Sequence, residues 1–213
     1  MQKIDLVKGD LKDAYRATAK PALVTVPKIT YLSIDGQGDP NGIDFQQAVE
    51  ALYSVAYTLK FMVKQGGTKL NSVDYKVAPL EAQWFMPDMT KFNEDNKDRW
   101  QWTAMIATPD FITSSVVSGA IDRAKLKKPL NRLADVQLVT QSDGLSAQVL
   151  YVGPYADEGP TIKRLHEFIK ESGCRLHGRH REIYLGDPRR SAPDKLKTII
   201  RQPCRRAKTS SSR

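Results

Sequence analysis

Between residues 43 and 64 the apolar side chains Phe45, Ala48, Val49, Leu52, Val55, Ala56, Leu59 and Met62 return at intervals of three and four. That spacing gathers them on one face of a helix, so the pattern predicts a long amphipathic α-helix over 43–64, ended by Gly66-Gly67. Upstream, residues 21–34 are rich in Val, Ile, Thr and Tyr and read as a strand, with Pro27 near its start or at a bulge. The cluster Gly36-Gln37-Gly38-Asp39-Pro40-Asn41-Gly42 reads as a turn. Asn41 stands where a G-x-G-x-x-G loop needs its third glycine, and no Lys-Ser/Thr pair follows, so it is not a nucleotide loop. Two strands are expected over 74–85 and 99–107, joined by a charged loop at 88–98. Residues 111–126 are an ambiguous helix, closed by Lys127-Lys128-Pro129.

The second half repeats this order. A strand falls near 134–140 or 145–152, and a helix follows over 161–170 with Pro160 at its first position and Gly173 at its end. Strands at 175–185 and 197–201 complete the pattern. Each half thus reads as strand, helix, strand, strand, although no residue-level repeat is visible. Residues 1–20 read as a lead-in strand or loose arm. A single domain is expected over 21–203, with halves of about 21–128 and 129–203.

Composition narrows the class. A chain of 213 residues can bury a sizeable core. No apolar run approaches the roughly 18 residues of a membrane span, and the opening residues have no signal-like apolar stretch. Cys174 and Cys204 are too few for a disulfide framework, which points to a reducing cytoplasm, although one bridge between them is compatible with the sequence. The net charge of +9 is concentrated at the end: residues 189–213 carry nine Lys or Arg and one acid, leaving 24 basic and 23 acidic side chains before them. Residues 204–213 read as a basic, disordered tail capable of weak, salt-sensitive contact with nucleic acid. No aromatic residues interleave its charges, so a specific nucleic-acid site is not expected.

Candidate chemistry gathers in residues 178–190. Residues 179–185 read as a strand, whose alternate side chains point to opposite faces. His180, Glu182 and Tyr184 then share one face, and Arg181, Ile183 and Leu185 the other. If the first face is covered, Glu182 is a buried acid, and buried acids are costly unless paired or functional. Trp100 and Trp102 lie two apart on one strand, with Trp84 on a neighbouring one. Tryptophans commonly fill cores, and by the residues alone that is the expectation here. Aromatic walls with one carboxylate also suit a flat, often cationic ligand. His166, His177 and His180 with the two cysteines form no tetrahedral set at ligand spacing, so no metal site is expected. Neither cysteine is a persuasive nucleophile, although Arg205 and Arg206 could lower the Cys204 pKa.

The ordered segments Gln148-Val149-Leu150-Tyr151-Val152-Gly153-Pro154-Tyr155, then a Glu, Thr161-Ile162, Leu165-His166-Glu167-Phe168-Ile169, and Glu182-Ile183-Tyr184-Leu185-Gly186-Asp187-Pro188-Arg189-Arg190 resemble the stand-alone GyrI-like small-molecule-binding domains. The likeness extends upstream through residues 74–81 and Trp100-Gln101-Trp102, and covers about 23–203. Arg181 stands between His180 and Glu182 where the family pattern has His directly before Glu. The resemblance implies an α+β fold of two pseudo-twofold β-α-β-β (SHS2-type) units, forming an antiparallel sheet with a ligand cleft. It implies a cleft lined by Trp100, Trp102, Trp84 and His180 for a small hydrophobic or aromatic ligand, with Glu182 and Tyr184 as catalytic residues and no cofactor. The activity implied is cofactor-independent hydrolysis of the cyclopropane of DNA-alkylating compounds. The alternative it implies is non-catalytic binding and sequestration of drugs or other small molecules.

Overall fold

The expected long helix forms over Ile43–Lys64 (α1), with Ala48, Ala51, Leu52, Val55, Ala56 and Leu59 buried along one face. Gln65 closes it and Gly66 takes the left-handed conformation, φ 68°, that a helix stop of this kind requires. The structure, a computed structural model, describes residues 1–66, 73–87 and 94–207. Gly67, part of the loop expected at 88–98 and residues 208–213 lie outside them.

The strands preceding α1 are β1 (Gln2–Ile4) and β2 (Ala22–Gln37). Following it are β3 (Val73–Tyr75), β4 (Leu80–Phe85) and β5 (Gln101–Thr108), then a second helix, α2 (Ser114–Lys127). The 74–85 strand is therefore two, interrupted before Leu80 where Pro79 cannot donate to a ladder. Helix α2 buries only Val117, Ala120 and Ala124, which explains its weak periodic signal. The chain continues through β6 (Gln137–Val152), α3 (Gly159–Glu171), β7 (Cys174–Leu176), β8 (His180–Tyr184) and β9 (Lys197–Arg206). Gly178, φ 67°, makes the turn that splits the expected 175–185 strand into β7 and β8.

Two units result: Met1–Lys12 with Lys28–Gln141, and Asp13–Pro27 with Ser142–Arg213. In the first, β5 pairs antiparallel with β2 and β4, β1 pairs parallel with β3, and α1 packs on β5 and α2. In the second, β9 pairs antiparallel with β6, β7 and β8, and α3 packs on β7 and β9. Leu165 and Ile169 of α3, one turn apart, close the second core against Ala147, Val149 and Ile200.

The second unit takes up the chain again at Ser142. Arg132 holds the stretch after α2 to the first unit, through Asp44, Asp135 and the carbonyl of Asp35. Residues after β1 pack as well: Ala14 and Tyr15 are buried, and Gln148 donates to the carbonyls of Asp13 and Arg16, at 2.9 and 2.8 Å. Cys204 is buried opposite Leu176, and β9 runs to Arg206 because β7 supplies a partner strand. Among the described residues, no helix is long and apolar enough to cross a membrane.

Candidate functional site

Strand β8 is held along one edge by β9, with Arg181 opposite Arg201, Glu182 opposite Ile200, Ile183 opposite Ile199 and Tyr184 opposite Thr198. Its alternation divides it as expected. On one face, Arg181 is wholly buried and donates from Nη2 to Asp143 Oδ1 at 3.0 Å, with its Nε 2.9 Å from Oδ2 in an ion pair. Arg201 lies 3.5 Å from the same carboxylate and also bonds Gln148. The residue that interrupts the family's His-Glu order is thus an anchor beneath the strand, which leaves His180 beside Glu182.

The other face carries the acid cluster. Tyr184 donates to Glu182 Oε2 at 2.8 Å, and His180 Nε2 lies 3.2 Å from Oε1. The Glu182 side chain is 14% exposed, enough to meet a ligand while both its oxygens are oriented. Tyr155 packs edge-on against Tyr184, ring centroids 5.4 Å apart. Tyr155 is positioned by the turn before it. Gly153, at φ 147°, comes so close to Tyr151 that a β-carbon would lie 2.5 Å from its hydroxyl, and that hydroxyl donates to the carbonyl of Pro154 at 2.9 Å. Burial, Asp157 and Glu158 together push the Tyr151 phenol up.

Glu158 belongs to this cluster and was not among the residues singled out from the sequence. It is 3% exposed, and burial followed by the negative charge of Glu182 raises its pKa to about 9. Thr198 favours the charged form, but neither its Oγ1 nor Glu158 Oε1 has a hydrogen-bond partner of normal geometry, so burial prevails. On α3, the His166 imidazole is pushed down by burial and by His180. The family-like segment already contains Glu158, between Tyr155 and Thr161, but a loop position offers no periodicity from which burial can be inferred.

The tryptophans form a separate cluster in the first unit. Trp84 and Trp102 stand opposite each other on β4 and β5, Phe45 packs on both with centroids 5.0 and 5.1 Å away, and Trp100 lies 6.0 Å from Trp84. Trp102 is wholly buried, and its indole fills the space left by Gly36, where a β-carbon would sit 2.2 Å from the ring. Gly36 is therefore a strand residue of β2, not part of the turn expected at 36–42. Arg132 lies over the Trp102 ring, 5.7 Å from its centroid. Trp84 and Trp100 are 2% and 9% exposed.

The cysteines are free and both buried. The Cys204 thiol is pushed up to about 11 by burial and by Cys174, against the smaller downward pull of Arg206. The expectation that neighbouring arginines lower it is thus reversed by desolvation. Among the described residues, no group of three or more His, Cys, Asp or Glu could hold a metal ion.

A family model for the GyrI-like small molecule binding domain matches residues 19–203. The chain belongs to the GyrI-like family. Three solved structures from Listeria innocua are similar to this GyrI-like chain along nearly its whole length. An uncharacterized conserved protein is 39% identical over 95% of this chain and 100% of its own, with a TM-score of 0.88. One hydrolase is 37% identical over 95% and 100%, TM-score 0.83, and another is 38% identical over 96% and 100%, TM-score 0.86. No curated protein matches the chain.

Proposed function

We propose that this GyrI-like protein hydrolyses small, flat, hydrophobic molecules, and that its substrates carry a cyclopropane conjugated to a dienone. The observation that carries the reading is the oriented, partly exposed Glu182 carboxylate, flanked on one strand face by Tyr184 and His180. Two of the similar Listeria proteins are described as hydrolases, which supports the reaction class.

The chemistry asked of the protein is modest. A water oxygen bonds to the cyclopropane methylene and a strained C–C bond breaks. Its electron pair enters the ring, which becomes a phenolate, and the water proton passes to Glu182. The phenolate then takes a proton to give the phenol. Glu182 is the general base. In the resting arrangement the Tyr184 hydroxyl donates to Glu182, so its first task is to fix the carboxylate, and donation to a developing oxyanion requires it to exchange that partner. His180 holds the other carboxylate oxygen. Within the first unit, Trp100, the most exposed of Trp84, Trp100 and Trp102, offers an edge for aromatic stacking, and the buried Trp102 supports that cluster.

The test is incubation with a cyclopropanoid alkylator, following the ring-opened product by chromatography. Glu182→Gln keeps the side chain's volume and removes its basicity, so turnover should fall by roughly 10²–10⁴-fold. Binding of a neutral aromatic ligand should change little. Unchanged turnover in Glu182→Gln removes Glu182 as the base. A parent protein that binds such compounds without opening them is a sequestering protein.

A further inference from the structure

Strand β7 and the end of β9 form a part of the second unit that the acid cluster does not use. The pairing of β9 with β6 ends at Pro203 and its pairing with β8 at Arg201. Among the described residues, 204–206 are therefore paired by β7 alone, as a two-stranded ribbon. In it Cys174 stands opposite Arg206, Arg175 opposite Arg205, and Leu176 opposite Cys204. Directly opposed residues of a ladder share a face, and their neighbours along each strand take the other. The face of Cys174 and Cys204 is closed by Leu165 and Ile169 of α3. Arg175 and Arg205 thus stand side by side on the opposite face, and both are exposed.

Like charges directly opposed across a ladder weaken it. Among the described residues, neither Arg175 nor Arg205 pairs with a carboxylate, so nothing there offsets the repulsion. Arg206 and Arg179, the latter on the turn made by Gly178, add two more exposed guanidiniums to the same stretch. The chain then leaves the ribbon with Lys208 and Arg213 still to come and no acid after Pro203.

We propose that the face carrying Arg175 and Arg205 is a docking surface for duplex DNA, which it grips through the phosphate backbone without reading sequence. The charges of the ribbon are all arginine, the side chain whose planar fork matches a phosphate group. Side chains directly opposed on a ladder start about 5 Å apart, and the phosphates of one DNA strand follow one another at about 3.4 Å of axial rise, so both guanidiniums reach neighbouring phosphates. A duplex neutralises the opposed pair in one step. Docking on a lipid surface draws on apolar side chains set among the charges, whereas Leu176, the exposed apolar residue of β7, lies on the other face. The proposal does not depend on the hydrolase reading.

The experiment is fluorescence anisotropy of a short labelled duplex of mixed sequence, titrated with the full chain at about 50, 100 and 200 mM salt. Binding should be non-specific, with a dissociation constant on the order of 10⁻⁴–10⁻⁶ M near physiological salt, and its logarithm should change linearly with the logarithm of the salt concentration. Arg175→Gln and Arg205→Gln should each weaken binding and reduce the salt slope by about 0.9, the share of one phosphate contact, and the double variant by about twice that. Arg175→Lys keeps the charge and should keep the slope. Because each Gln variant relieves the opposed pair, neither should lower the melting temperature, which separates lost docking from lost folding. The chain ended after Ala207 should still bind, with the ribbon's share of the slope intact. Absence of duplex binding by the full chain at low salt overturns the proposal, as do Gln variants with the parent slope or binding that disappears with residues 208–213. Capture of the chain by phosphatidylserine vesicles but not by the duplex overturns it in favour of a lipid surface.

Discussion

A carboxyl that holds its proton to about pH 9 in the folded chain, against an ordinary value of 4.5, ties stability to pH. Below 4.5 folded and unfolded chains both bind the proton, and Glu158 costs nothing. Above it, only the folded chain keeps the proton, and the unfolded state gains about 1.4 kcal/mol per pH unit. The stability present in acid is therefore lost progressively as pH rises through the folded value. From 4.5 to 7 the loss is about 3 kcal/mol, a large share of the 5–15 kcal/mol that holds a typical domain together. Glu158→Gln cannot ionise. Any offset from its buried amide is fixed and does not vary with pH. Urea unfolding of both proteins at pH 4.5, 5, 6, 7 and 8, followed by circular dichroism, should give a stability difference favouring the variant increasingly with pH, by about 3 kcal/mol more at pH 7 than at pH 4.5. Parallel stability curves, or a gap that narrows toward alkaline pH, would refute the reasoning.

Gly36→Ala forces a β-carbon into the Trp102 ring, so it should cost about 1–3 kcal/mol or more and shift the tryptophan emission, as read by fluorescence-monitored urea unfolding. Asp143→Ala leaves two buried guanidinium groups, Arg181 and Arg201, without their shared carboxylate; a loss of about 3–5 kcal/mol is expected by thermal denaturation. Ending the chain after Ala207 should leave the melting temperature unchanged. Ending it after Pro203 removes buried Cys204 and its pairing with Leu176, and should lower it measurably.

The elements that were legible from the sequence are those whose pattern is local. Helix α1 has eight apolar positions in register, α3 has its proline and glycine at the two ends, and the alternation of β8 places His180, Glu182 and Tyr184 together without further information. What was not legible depends on partners far along the chain. Arg181 reads as an interruption until Asp143, 38 residues earlier, meets it. Glu158 reads as a loop acid until the strand carrying Thr198 covers it. Gly36 has the composition of a turn, and only the indole of Trp102 across the β2–β5 ladder shows why it must be glycine. The basic residues after Pro203 suggest a solvated tail, and β7 draws three of them or their neighbours into a ladder instead. Strand β2 runs past the expected 34 to Gln37 because Gly36 belongs to its ladder, and β6 runs through both of the stretches, near 134–140 and 145–152, between which the sequence leaves the choice open.

The second unit is assembled from two stretches of chain separated by the whole of residues 28–141. Its closing contacts are correspondingly remote: Gln148 reaches back to Asp13 and Arg16, and Arg201 donates to the carbonyl of Ala14, 187 residues earlier. During synthesis, residues 13–27 leave the ribosome first and have no partners until β6 and β9 follow. At about 5–20 residues per second, that wait lasts on the order of ten seconds or more, long compared with the folding of a small domain. Residues 28–141 can meanwhile collapse around α1. The acid cluster is therefore among the last parts of the molecule to exist, and a nascent chain acquires its charge arrangement only when β9 has emerged.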